Sequence, residues 1–305
     1  MAKETKSEKL RYYFILFLVL FSGCEKEPIN YEIQLYQNDN IFYQRNHTEP
    51  YNGSTFSLYL NGQEKNNGNL LNGKKDGLWI EWYKNGNKKG EEKYKNGKAH
   101  GVWLTWHENN TLKLKGSFEN GSAIGLRTEW YENGNKKEEG FFKNNKFDGQ
   151  WTKWFSNGEK SGEGYYIDQK ESGVHTLWHP NGKKRSQAQF LNGVISGSRT
   201  EWYENGQKKE EGSIKGLWTQ WYENGQKKGK GYYKDQRPFG KHILWYDGGQ
   251  KRSEVHFASG IPNGYSIEWY ENGKKKEEGN MTNGEQTGKW SYYNKDGSLD
   301  GVEQY

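Results

Sequence analysis

Residues 125–148 read GLRTEWYENGNKKEEGFFKNNKFD. This stretch has two arms. The first opens on Gly125, carries Trp130 and ends at Glu132-Asn133-Gly134. Asn-Gly is the strongest short hairpin signal, because a type I′ turn needs positive φ at both central residues. The second arm runs from Lys136 to Phe142, and a second turn leads to Gly149. One unit therefore reads as a β-hairpin plus a connection.

The same frame fills most of the chain. Copies open on Gly77, Gly101, Gly125, Gly149, Gly173, Gly197, Gly216, Gly240, Gly264 and Gly288, with a weaker copy at Gly53. Successive anchors lie 24 residues apart, except that Gly197 and Gly216 are 19 apart. The 14 tryptophans fall on two positions. Two residues after the anchor lie Trp79, Trp103, Trp151, Trp218 and Trp290. Five after it lie Trp82, Trp106, Trp130, Trp154, Trp178, Trp202, Trp221, Trp245 and Trp269. Seventeen after it lie Tyr94, Phe118, Phe142, Tyr166, Phe190, Ile214, Tyr233, Phe257 and Met281. A fixed period of this kind is the mark of a repeat architecture. The short unit keeps Ile214 and Lys215, so its deletion is expected to tighten the second turn and spare both strands.

Composition agrees. Leu, Ile, Val and Phe make about 16% of 305 residues, below the level at which a chain usually buries a core. Yet aromatic residues make 16%, there are 40 glycines, and the net charge is only +6. Disorder expects few aromatics and high net charge. The balance excludes a helical bundle or an enzyme with a large aliphatic core. It predicts an all-β fold, an elongated antiparallel meander of about eleven stacked hairpins. Strands about 4.8 Å apart advance each unit by ~10 Å, so the array would form a ribbon on the order of 100 Å long. Alternation puts Trp79 and Trp82 on opposite faces, so both faces should carry aromatic columns.

The pattern G-x-W-x-x-W-Y-x-N-G resembles the variant MORN repeat and bacterial proteins of the YwqK antitoxin family. That resemblance covers 53–305, within a repeat array read as 49–305. It implies a ribbon of stacked hairpins that binds proteins or phospholipids, and for the YwqK label an antitoxin or immunity-type role against a cognate toxin. Trp-Tyr-x-x-Asn-Gly is also similar to choline- and cell-wall-binding repeats. There, rings cage quaternary ammonium groups or glycans by cation–π attraction.

Residues 1–23 read as a signal peptide: Lys3, Lys6, Lys9 and Arg11, then the apolar run YYFILFLVLF at 12–21. Ten apolar residues span only ~15 Å as a helix, too short to cross a bilayer. Leu20-Phe21-Ser22-Gly23-Cys24 resembles a bacterial lipobox, with Phe21 where Leu is more usual. The resemblance implies lipidation of Cys24, export and anchoring in the bacterial envelope. Cleavage would remove two net positive charges and leave +4. Residues 24–48 read as a tether with a first strand near Ile41–Tyr43.

No HExxH, GxSxG, P-loop or strand-linked GxGxxG occurs, so no enzyme, cofactor or nucleic-acid partner is expected. His175 and His179 have metal-ligand spacing for a helix, but they fall on a strand and replace aromatic residues of the frame. No metal site is expected. Basic pairs recur after the first turn: Lys88-Lys89, Lys136-Lys137, Lys184-Arg185, Lys208-Lys209, Lys227-Lys228, Lys251-Arg252 and Lys275-Lys276. Such a rim would attract anionic lipid or envelope polysaccharide unless nearby glutamates cancel it. The functional expectation is a membrane-anchored, non-enzymatic scaffold whose 14 tryptophans are the candidate binding aromatics and whose partner is an unidentified protein.

Overall fold

The computed structural model describes residues 26–213 and 215–305. Cys24, the stretch 1–23 expected to be a signal peptide, and Ile214 lie outside them. The chain is nearly all-β, with 67% in strands and 1% in helix. Contacts divide the chain into two units, 1–124 and 125–305. Apart from one short parallel pairing near the N-terminal end of the described residues, strands within each unit pair with their sequence neighbours as consecutive antiparallel hairpins.

In the first unit the described N-terminal segment folds where a tether was expected. β1 (Ile29–Asn30) and β4 (Gly53–Leu58) pair in parallel, Ile29 with Thr55. The short helix α1 (Tyr31–Gln34) is capped by the Asn30 side chain, which accepts from the Glu32 N–H. β2 (Leu35–Asn38) and β3 (Ile41–Gln44) form a hairpin. The reason is apolar: Leu35 and Tyr51 close a buried cluster with Leu70 and Trp79, and Ile29, Tyr31 and Phe42 pack on it. The segment covers an edge strand that would otherwise present unpaired backbone groups. Beyond it, the repeat hairpins follow as Glu64–Leu71, Lys74–Trp82, Lys88–Lys95, Lys98–Trp106 and Leu112–Glu119.

The second unit repeats the scheme to Leu299–Gln304, each strand pairing with its sequence neighbour. Three details differ from the sequence expectation. First, the strands begin before the anchor glycine. Lys146–Trp154 contains Gly149 at φ +133, and the register slips by two residues across the preceding connection. The anchor is a kink within a strand, not its opening. Second, the two turns are of different types. At the first turn only the third loop residue has positive φ, as in Gly134 at +86 or Asn110 at +69, while Asn133 does not. The Gly134 N–H donates to Tyr131 O and the Tyr131 N–H to Asn135 O. This is a type I turn closed by a glycine bulge, not the expected type I′. The type I′ geometry belongs to the second turn, where both residues are positive: Asn96 and Gly97 at +52 and +78 in the first unit, Asn192 and Gly193 at +53 and +81 in the second. Third, the 19-residue unit does not keep full strands. Lys208–Gly212 and Leu217–Trp221 have five residues each, against eight and nine in Lys275–Thr282 and Glu285–Tyr293. The deletion trims both arms outboard of the anchor kink.

Candidate binding surface

The two tryptophan positions have different environments. Rings two residues after the anchor lie over the sheet. Trp79 and Trp290 are 3% exposed, and Trp103, Trp151 and Trp218 are half-buried. Each such ring lies across the residue fifteen after the previous anchor. There the sequence supplies Gly68 for Trp79, Gly212 for Trp218 and Gly279 for Trp290, and a Cβ at any of these would clash with the ring. The Trp79 Nε1–H donates to Asn69 O at 3.1 Å, and Trp290 to Asn280 O at 3.0 Å. His175 and His242 take the same slot. Their Nε2 atoms lie 2.9 and 2.8 Å from Tyr165 O and Tyr232 O, and Gly164 and Gly231 lie beneath the rings. An imidazole N–H thus does the work of an indole N–H. Rings seventeen after the anchor fill the spaces between. In the first unit Tyr94, Trp103 and Phe118 follow at 5.3 and 4.5 Å between centroids. In the second, Trp151, Tyr166, His175 and Phe190 follow at 5.8, 5.2 and 5.0 Å. This column is the packed face.

The second position, Trp82, Trp106, Trp130, Trp154, Trp178, Trp202, Trp221, Trp245 and Trp269, is half-buried near the first turns. Its carbonyls hold the next links between units. The Tyr83 hydroxyl donates to Trp106 O at 2.8 Å, Tyr131 to Trp154 O at 2.9 Å and Tyr246 to Trp269 O at 2.9 Å. His179 again substitutes, with Nε2 at 3.0 Å from Trp202 O. His175 and His179 therefore serve separate aromatic slots and do not converge. The turn asparagines add staples: Asn133 Nδ2 donates to Ser156 O at 2.7 Å and Asn181 Nδ2 to Glu204 O at 2.8 Å.

The basic pairs are largely engaged. The first lysine of a pair lies over the second tryptophan of the next unit, Lys88 over Trp106 at 5.4 Å, Lys136 over Trp154 at 5.5 Å and Lys251 over Trp269 at 5.4 Å. It also pairs with a glutamate three residues on: Lys88 with Glu91, Lys136 with Glu139 at 2.7 Å, Lys208 with Glu211 at 2.7 Å and Lys275 with Glu278 at 2.8 Å. The second lysine reaches the glutamate before the tryptophan: Lys89 to Glu81 at 3.2 Å, Lys137 to Glu129 at 3.7 Å, Lys209 to Glu201 at 3.5 Å and Lys276 to Glu268 at 3.0 Å. Such exposed pairs add little stability, but they cancel the field of a continuous basic rim.

Two clusters went unread in the sequence. Lys75 Nζ sits 4.3 Å over the Trp79 ring and 4.8 Å over Tyr94, and burial lowers its pKa. Burial pushes the Tyr94 phenol up, helped by its hydrogen bond to Glu92. Near the C-terminal repeats, Glu278 accepts from Lys275 and Tyr293 at 2.8 and 2.7 Å and from Tyr265. Burial pushes that carboxyl up, but the three donors outweigh it and hold it below its usual range. Burial and the same bond raise Tyr265 to about 12. The recurring glycine fifteen after the anchor was the available signal for the ring slots; nothing in the frame pointed to Lys75.

Comparison with known proteins places these hairpins. Residues 75–96, 99–120, 124–144, 171–192, 196–215, 214–235 and 262–283 each match the MORN repeat variant family. Variant MORN repeats thus stand at seven positions of the chain. Each match covers a hairpin around a first turn. The unmatched units opening on Gly149 and Gly240 keep the ring slot through Trp151 and His242. No curated protein matches the chain. Among solved structures, TcdB2-TccC3-Cdc42 is 12% identical over 82% of this chain and 17% of that one, with a TM-score of 0.18. A TccC3 mutant of the Photorhabdus luminescens Tc holotoxin pore is 9% identical over 87% and 16%, also at 0.18. The chain thus spans less than a fifth of those chains.

The face opposite the packed column is open. One residue after the anchor and sixteen after it pair across strands: Leu126 with Phe141, Gln150 with Tyr165, Val174 with Gln189, and Leu217 with Tyr232. Leu126, Phe141, Tyr165, Val174, Leu217 and Tyr232 are 37% to 55% exposed. In the first unit Leu78 and Val102 hold the same place.

Proposed function

We propose that this chain is a non-enzymatic repeat scaffold, anchored in the bacterial envelope through lipid on Cys24, that presents its open sheet face to a protein partner. The observation that carries this reading is the apolar row of the second unit. Exposed apolar side chains recurring at one register are a mark of interaction surfaces, and a repeat array adds contact area with each unit. The cancelled basic rim favours such a partner over a general polyanion. The lipobox-like sequence at 20–24 supports export and anchoring.

The test is site-specific photo-crosslinking in native cells. A photoreactive residue at Leu126, Tyr165 or Leu217 should trap one protein, whereas the same probe at Trp290, on the packed face, should trap none. Cys24→Ala should release the chain from membranes and abolish the crosslink. Equal labelling from both faces, or no crosslink at any open-face site, would overturn the reading.

A further inference from the structure

The ion-pair scheme fails in three repeats of the second unit that carry a basic pair, on either side of the intact repeat opening on Gly197, and it fails in a correlated way. Where the residue before the second tryptophan is glutamate, it neutralises a lysine, as in Glu129–Lys137, Glu201–Lys209 and Glu268–Lys276. In the repeats opening on Gly173, Gly216 and Gly240 that glutamate becomes Leu177, Gln220 and Leu244. The facing basic residues are Arg185, Lys228 and Arg252. Both leucine replacements come with arginine in place of lysine. The glutamate three after the first lysine is also lost in two of these repeats, where Gln187 and Lys230 stand. Residues 173–196 contain Lys183, Lys184 and Arg185 but no Asp or Glu.

Among the described residues, Arg185 and Arg252 have no ion-pair partner, and Lys228 only overlies the Tyr222 ring at 5.6 Å. All three are exposed. Beside them lie apolar side chains: Leu177 packs against Gly162 and Leu244 against Gly229, with Leu244 still 43% exposed. Arginine presents a planar fork that takes a carboxylate through two parallel hydrogen bonds, which lysine cannot do. The turn tips beyond these strands carry exposed Glu204, Glu223 and Asp247. A broad anionic surface would meet those carboxylates first. A narrow chain lying inboard along the strands would not.

We propose that Arg185, Lys228 and Arg252, with Leu177 and Leu244, recognise an acidic, leucine-bearing segment of a protein partner. This goes beyond the scaffold reading above and adds a second contact: Leu177 and the Trp151 ring both border Gly162, so the segment would lie on the packed-ring side and not on the open face. At the same position of other repeats, Lys137, Lys209 and Lys276 are held by their own glutamates, so among the described basic pairs it is Arg185, Lys228 and Arg252 that are left to meet a carboxylate-bearing chain.

The test uses the full mature chain and a labelled peptide of alternating Glu and Leu, followed by fluorescence anisotropy. The peptide should bind, and binding should weaken as salt rises. Arg185→Gln/Lys228→Gln/Arg252→Gln should weaken it about tenfold or more, because truncating charged partners is costly in a desolvated contact. Lys137→Gln/Lys209→Gln/Lys276→Gln, which removes the same charge from paired sites, should leave affinity nearly unchanged. Equal losses in the two variants, absence of peptide binding, or tighter binding to phosphatidylglycerol vesicles or heparin would overturn the proposal. If the open-face crosslink survives in the Arg185→Gln/Lys228→Gln/Arg252→Gln variant while the peptide fails to bind, the scaffold reading stands and this one falls.

Discussion

At the scale of a residue, the ring slot shows how one side chain's size is set by another across a strand. Gly164 faces His175, Gly140 faces Trp151 and Gly212 faces Trp218. In two repeats the ring and the glycine are absent together: Ala188 faces Arg199 and Val255 faces Ser266. Glu92 opposite Trp103 departs from the match, and Tyr94 there donates to that carboxylate; in the sequence frame Gly116 and Arg127 depart from it in the other sense. A methyl group at Gly164 would force the imidazole off its seat. Gly164→Ala should therefore cost about 1–3 kcal/mol by overpacking, despite the backbone entropy that alanine saves. Gly301→Ala, where a Cβ meets nothing, should be nearly neutral. Gly164→Ala/His175→Ser should recover part of the loss, since it recreates the Val255–Ser266 type of pair. Urea denaturation of the three variants checks this; equal midpoints for Gly164→Ala and Gly301→Ala would refute it. The sequence displayed the periodic tryptophans and glycines, but not that they touch. Contact between them depends on the two-residue slip at the anchor kink, and a slip has no composition.

At the scale of an element, the two turns of a unit look alike in sequence and differ in structure. Asn133-Gly134 and Asn192-Gly193 share a dipeptide, yet only the second places both residues at positive φ. The first turn has a third loop residue, and its asparagine is needed in a right-handed conformation. From there Asn133 Oδ1 accepts from the Asn135 N–H at 3.1 Å while Nδ2 reaches Ser156 O. Dipeptide reading could not separate these cases, because the distinction lies in which strand residues pair beyond the turn. The second turns give a direct test. Gln169 stands at φ +70 where most units have glycine, such as Gly97 and Gly193, and its N–H donates to Phe147 O at 2.8 Å. A non-glycine side chain in that region costs roughly 1 kcal/mol, while the backbone bond needs no side chain. Gln169→Gly should raise stability by about 0.5–1 kcal/mol, visible as a higher thermal midpoint. By the same logic Gly134→Ala, at φ +86 in the first turn, should lower it. A Gln169→Gly variant that melts earlier would show that glutamine makes a contact worth more than its strain.

At the scale of the molecule, the absence of a large aliphatic share ceases to be a puzzle. The period and the hairpins were legible, because each unit needs few apolar positions and buries them on its neighbours. What the sequence hid was which neighbour each unit is matched to. If stability is a sum of unit and nearest-neighbour terms, removing one 24-residue unit should depend on the junction it creates. Deleting 149–172 brings Gly140 under His175, restoring a ring over a glycine. It also sets the Tyr131 hydroxyl toward Trp178 O and Lys136 toward the Trp178 ring, replacing their present bonds to Trp154. Deleting 173–196 removes the same length but leaves Gly164 facing Arg199. It strips Tyr166 of its His175 neighbour. It also puts Phe155, which has no hydroxyl, where His179 now reaches Trp202 O. The first deletion should fold cooperatively with a midpoint close to that of the parent. The second should melt measurably earlier, by several degrees for a loss of about 1–2 kcal/mol. Circular dichroism melts of the two chains decide it. If they melt together, the units are interchangeable and the ring slot does not set the coupling between neighbours.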